Sequence, residues 1–155
     1  MAAQIAGSLF THGMTRSFGY NAAVILFADL VATSGRVAAV PARLTKVREV
    51  AAFLKSLPPA EIAIAVHYLS GDIPQGRIGI GFAALRSAAT QPAAGSGTLS
   101  IAAVDEALTD IAGIRGSGAD AKRAERLRHL FSRASAQEGS GRLLVLPARG
   151  RPFRK

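Results

Sequence analysis

Lys122, Arg126, His129 and Arg133 recur at i, i+4, i+7 and i+11. At about a hundred degrees per residue this spacing gathers all four into one narrow stripe of a helix. Directly before them stands Gly116-Ser117-Gly118, a glycine turn that offers backbone amides and a close approach to a ligand. Amides followed by spaced cations suit the phosphates of a polyanion. The same cations also suit an ordinary solvated helix face, and the pattern alone leaves both readings open. A second glycine cluster lies earlier, in Gly71-Asp72-Ile73-Pro74-Gln75-Gly76-Arg77-Ile78-Gly79-Ile80-Gly81. Its Gly71-x-x-x-x-Gly76 spacing imitates a nucleotide P-loop. However, Arg77 and Ile78 stand where that motif needs Lys for the terminal phosphates and Ser or Thr for magnesium. Gly79-x-Gly81-x-x-Ala84 matches a dinucleotide fingerprint in letters only, because a buried strand should precede it and none does. Gly79 and Gly81 do present amides at the start of a helix, which suits a nucleic-acid phosphate.

The catalytic inventory is thin. His12, His67 and His129 are scattered with no His-x-x-x-His or His-Glu pair, so no metal site is expected. His67 is read as a side chain that packs or caps within its own helix. Asp105 and Glu106 are adjacent and point in different directions, and Asp110 reads as surface charge. Cys is absent, which removes disulfides, thiolate metal sites and cysteine nucleophiles. Few aromatics are present to stack on bases, which argues against a stacking single-strand binder. No catalytic residue is assigned.

The elements that must carry these residues read as helical almost throughout. Leu44, Val47, Val50, Ala51 and Leu54 form one face of a helix within 41–57, with Pro41 in its first turn and Thr45, Glu49, Ala52 and Ser56 opposite. Pro58 and Pro59 end it and open a second helix over 60–70, stopped by Gly71. That helix is apolar on several sides through Ile62, Ile64, Val66, Tyr68 and Leu69, so it is expected to be central and buried. A third helix spans 80–90, and 91–97 reads as a linker. Ser100 is the expected N-cap of a helix over 101–114 with the stripe Ile101, Val104, Leu108 and Ile111. The last helix covers 119–136 and buries Ala124, Leu127, Leu130, Phe131 and Ala134. No run alternates long enough for a sheet, so the expected fold class is all-α, an antiparallel multi-helix array.

A chain of 155 residues, 49% hydrophobic and 19% charged, is one domain with a single core. Its formal charge of +9 is unevenly spread. Residues 26–138 hold thirteen Lys and Arg against ten Asp and Glu, whereas 139–155 hold five basic residues and no acid. The high total is therefore a weak argument for an anionic partner of the body. Residues 1–25 read as a loose N-terminal extension, 26–138 as the helical domain, and 139–155 as a basic disordered tail. Asp29 interrupts the early apolar stretch, and Pro92, Gly95 and Gly97 interrupt the later one. The expectation is a cytoplasmic chain with no membrane partner.

The order of the motifs carries a resemblance. Leu26-Phe27-Ala28-Asp29-Leu30-Val31-Ala32-Thr33-Ser34, Ala42-Arg43-Leu44-Thr45-Lys46-Val47, Tyr68 to Gly81, and Gly116 to Arg123 with 127–138 resemble the N-terminal DNA-binding domain of bacterial ATP-dependent DNA ligases. The resemblance implies an all-helical domain that grips duplex DNA on both sides of a nick, through backbone phosphates and without sequence preference. It implies DNA contacts at Gly79 and Gly81 in one loop and at Gly116, Ser117, Gly118 and Lys122 in the other. Arg43 and Lys46 match basic positions of the early helix, and Arg126 and Arg133 extend the stripe.

The sequence departs from the family in three places. Pro41 and Ala42 replace a Ser or Thr pair, Gly139-Ser140-Gly141-Arg142-Leu143 stands where the family continues into closing helices, and no lysine begins a Lys-x-Asp-Gly motif. The resemblance thus implies a truncated or frameshifted fragment with the C-terminal part of the domain missing, inactive alone. ATP and magnesium would belong to the missing catalytic domain, so no cofactor is expected in this chain. The expected partners are double-stranded or nicked DNA and a separate ligase catalytic chain, in repair, recombination or replication. The rival readings are a helical protein-interaction module and a nonfunctional gene fragment.

Overall fold

The computed structural model describes residues 25–89 and 99–135, and these form six helices with no strand among them. All but Ile25 of the expected extension at 1–25, the linker at 91–97 and the tail at 139–155 lie outside the described residues.

The first helix, α1 (Phe27–Ala39), falls where the periodicity suggested none. Its buried residues are Phe27, Leu30, Thr33 and Ser34, so two of the four core positions carry hydroxyls and the apolar stripe is interrupted in sequence. Burying Thr33 is tolerable because its Oγ1 donates to the Asp29 carbonyl at 2.8 Å and accepts from Arg36 Nη2 at 2.9 Å. The Asp29 carboxylate accepts from the Leu26 amide at 3.2 Å, and Phe27 N donates to the Leu99 carbonyl at 2.7 Å. The start of α1 is thereby stitched to Leu99, far along the chain.

Helix α2 (Arg43–Ser56) is shorter than expected at its start. Pro41 precedes it, and the N-cap is Ala42 in an extended conformation with no side-chain cap. The stripe read as its core face is corrected in its first half: Leu44 is 72% exposed and Val47 56%, whereas Val50 and Ala51 are half-buried, Leu54 packs on the core, and α2 also buries Phe53, with Leu57 just beyond its end. It packs on α1, and Arg36 Nε meets Glu49 Oε2 at 3.0 Å across that contact. Helix α3 (Pro59–Ser70) likewise is not central. Only Ala65 and Tyr68 are buried in it, while Ile62 and Val66 are exposed. An apolar side chain records what a helix can bury, and tertiary packing decides which side it does bury.

The central helix is α5 (Ile101–Gly113), which packs on α1, α3 and the last helix, α6 (Ala119–Ser132). Ile101, Val104, Leu108 and Ile111 are all buried, each large one contributing roughly 1.5–3 kcal/mol. Ser100 caps it as expected, its Oγ accepting from Ala103 N at 3.1 Å. Helix α4 (Phe82–Ala89) starts two residues later than predicted, after Gly81, and packs on α6. Leu127, Leu130, Phe131 and Ala134 are buried as expected, whereas Ala124 is half-buried. Against α5 lies Tyr68 of α3, its ring edge-on to Phe27 at 5.9 Å and its hydroxyl donating to Asp105 Oδ1 at 3.2 Å.

Candidate nucleic-acid interface

Two glycine loops leave this helical frame. The first, 71–81, begins at Gly71, whose φ of 84° ends α3 and whose amide donates to the His67 and Tyr68 carbonyls. A glycine is favoured at such a left-handed helix end because any Cβ would be strained there. His67, expected to pack or cap within its own helix, is instead exposed, with Nδ1 3.8 Å from Asp72 Oδ2 beyond the helix end. Ile73 and Ile78 are buried and plug the loop into the core. Between them the Gln75 Nε2 lies within hydrogen-bond distance of the Asp105 carbonyl at 3.2 Å, Asp105 Oδ1 at 2.8 Å and Thr109 Oγ1 at 2.9 Å. Gln75 thus ties the loop to the side of α5. Asp105 and Glu106 indeed diverge, Asp105 toward Tyr68 and Gln75 and Glu106 toward the α5–α6 cleft.

The second loop, 114–118, has two left-handed glycines, Gly116 at φ 88° and Gly118 at φ 74°. Nothing lies within 4 Å of where a Cβ on either would stand. Backbone conformation therefore selects glycine at both, and the space beside them is open. Gly118 is the N-cap of α6 and has no side chain to occupy its amides, and Ser117 is exposed next to it. Gly81 differs from these glycines. Its φ is not positive, and its carbonyl accepts from Ala84 and Leu85 to start α4.

A residue outside the predicted set joins the two loops. Arg123, on α6, donates from Nη2 to the Ile114 carbonyl at 2.6 Å and from Nη1 to Asp120 Oδ1 at 3.0 Å. Its guanidinium lies against Gly79, where a Cβ would meet Cζ and Nη1 at 3.1 Å and Nε at 3.4 Å. Gly79, at φ 69°, is thus constrained both by its backbone and by this contact. One signal in the sequence pointed to it: at about a hundred degrees from Lys122, Arg123 falls on the side of Leu127 and Leu130 rather than with the exposed stripe.

Lys122, Arg126 and His129 are exposed along α6, and Arg133 is exposed at its C-cap, α6 ending at Ser132 rather than at 136. Arg126, His129 and Arg133 line a cleft of about 210 Å³ whose other wall, on α5, includes Glu106 and Asp110. That is smaller than the roughly 300–1,000 Å³ of small-molecule sites. Among the described residues no ion pair joins the two walls. The acids nevertheless face the stripe and offset part of its attraction for a polyanion. Arg43 and Lys46 lie apart in sequence and element, in the first turn of α2, with no acid in that turn and no cap at Ala42. The positive end of α2 is left without a compensating group.

Comparison with known proteins finds similarity to DNA ligases. A "Probable DNA ligase" from Mycolicibacterium paratuberculosis is 42% identical over 135 residues, 86% of this chain and 25% of that protein. Those from Anaeromyxobacter dehalogenans strain 2CP-1 and Streptomyces griseus are 45% and 40% identical over 116 and 114 residues, each 74% of this chain. The chain is related to the DNA ligases. It spans about a quarter of the length of these ligases, with 25%, 23% and 22% of each covered. No family model matches it, and no solved structure matches it. Within this ligase-related chain, the described residues form no helix long and apolar enough to cross a membrane.

Proposed function

We propose that this chain supplies a DNA ligase with sequence-independent grip on duplex DNA around a nick, through the sugar-phosphate backbone. The observation that carries the reading is the pairing of two glycine loops across Arg123, with open space at Gly116 and Gly118 and the exposed cation Lys122 one turn into α6. Left-handed glycine turns at a helix start present amides to an anion. In this reading Gly79, Gly81, Gly116, Ser117 and Gly118 approach phosphates by backbone, and Lys122, Arg126 and Arg133 add charge. Arg43 and Lys46 place a second phosphate contact at the start of α2.

ATP-driven joining is assigned to a catalytic part supplied by the rest of a ligase, since no lysine here is followed by x-Asp-Gly. ATP, magnesium and a role in repair, recombination or replication belong to that larger protein. Incubation of the chain with labelled ATP is expected to give no covalent adenylate. Binding to a fluorescent nicked duplex is expected to be insensitive to sequence and to fall steeply with salt. A folded chain that ignores nicked and intact duplexes at low salt would sink the reading.

A second reading rests on the exposed Leu44, Val47, Ile62 and Val66, which suit contact with protein. A separate ligase catalytic chain is the partner this reading takes. The charge-reversal experiment described below separates the two.

A further inference from the structure

We propose that Arg123 is a positioning residue that locks the two glycine loops into one rigid surface, and that its charge is used inside the protein rather than on DNA. The inference rests on the DNA-binding reading for its consequence, but its geometry stands by itself. Arg123 is on α6, yet its hydrogen bonds run to the Ile114 carbonyl, at the beginning of the second loop, and to Asp120. Its side chain is only 15% exposed. The contact with the first loop is of another kind: three guanidinium atoms stand at nearly equal distance from the Cβ direction of Gly79, so the planar group lies face-on to that glycine. Nε is buried with no hydrogen-bond partner among the described residues. Leaving it so carries a cost, accepted for the sake of where the plane must lie.

Two further observations complete the device. Gly79 has the left-handed φ and the missing Cβ that let the plane seat, so the absence of a side chain there serves the clamp. Gln75 fixes the same loop from the opposite side, to Asp105 and Thr109 on α5. The first loop is held between α5 and α6, and the second is tied to it through a single guanidinium. Lys cannot reproduce this, because its ammonium is a point donor without a flat face or a fork. Loops held in their bound arrangement lose less entropy on binding, so the clamp raises affinity with no contact of its own.

The test uses the full chain, with Arg123→Ala, Arg123→Lys and Gly79→Ala, and Arg126→Ala as a control. Amide hydrogen exchange is read in 76–81 and 114–118 without DNA, and binding to a nicked duplex is read across a salt series. The clamp predicts that Arg123→Lys and Gly79→Ala raise exchange in both loops together while the helices stay protected. It also predicts about tenfold weaker DNA binding with an unchanged salt slope. Arg126→Ala should instead reduce the slope by about one phosphate contact without disturbing the loops. Full loop protection and full affinity in Arg123→Lys would show that charge alone matters and overturn the clamp. A reduced salt slope in Arg123→Ala would place Arg123 on a phosphate and overturn it equally. If Arg123→Ala unfolds, Arg123→Lys and Gly79→Ala decide. If the wild-type chain binds no DNA, the functional reading fails, and the exchange data still decide the clamp.

Discussion

At the scale of single residues, Tyr68 shows how a polar group becomes part of the core. Burial, then the charge of Asp105, then the hydrogen bond to it hold the Tyr68 hydroxyl protonated well above the ordinary phenol range. In the unfolded chain the same group loses its proton near about pH 10. The folded value is the higher one, so this contribution is fully present below about pH 10 and is lost as pH rises through the folded value. Denaturant midpoints measured from pH 8 to about 11 should therefore fall at the alkaline end. Tyr68→Phe should flatten that fall while costing about 1 kcal/mol at neutral pH. Equal alkaline slopes for the two proteins would show that Tyr68 does not govern it. Gln75 and Arg123 belong to the same scale, since each is one side chain tying a loop to a neighbouring helix.

Among the elements, α2 is the clearest case of a helix whose sequence and setting disagree. Ala42 offers no cap, Arg43 and Lys46 put positive charge beside the positive end of the helix, and Leu44 and Val47 face outward. In isolation each of these is unfavourable by a few tenths of a kcal/mol to about 1 kcal/mol. Ala42→Asp should therefore raise stability by about 0.5–1 kcal/mol, read as a higher melting temperature. It should also weaken binding to nicked duplex, because the carboxylate takes the place of a phosphate at that helix start. Higher stability with unchanged affinity would remove Arg43 and Lys46 from the interface. Much of the chain was legible at this scale: the Ser100 cap, the α5 stripe, the Gly71 stop and the buried side of α6 all follow from local spacing. Helix α1 was not, because hydroxyl residues occupy two of its buried positions: Thr33 is held there by Asp29 and Arg36, and Ser34 Oγ has no hydrogen-bond partner among the described residues.

Over the whole molecule, charge has to be weighed by where it faces. The stripe of Arg126 and Arg133 looks across a cleft at Glu106 and Asp110, whereas Lys122 stands beside the open glycine turn. Substituting Lys122, Arg126 and Arg133 together by Glu should reduce duplex binding and flatten its salt dependence, as measured by titration at several salt concentrations. The Lys122→Glu change alone should account for most of the loss. Unchanged affinity in the triple variant would take the stripe out of the mechanism and favour the protein-contact reading through Leu44, Val47, Ile62 and Val66.

The sequence by itself determined the helical class, the turn glycines, the buried face of α5 and the resemblance to ligases that the relatives bear out. These are properties of spacing and backbone conformation, which act over a few residues and are written locally. Only the tertiary structure decided that α5 rather than α3 is central, that the N-terminal half of the α2 stripe, Leu44 and Val47, faces outward, and that Arg123 reaches from α6 to Gly79. Those outcomes depend on which surfaces meet across the fold, a long-range choice to which any single helix contributes only one partner.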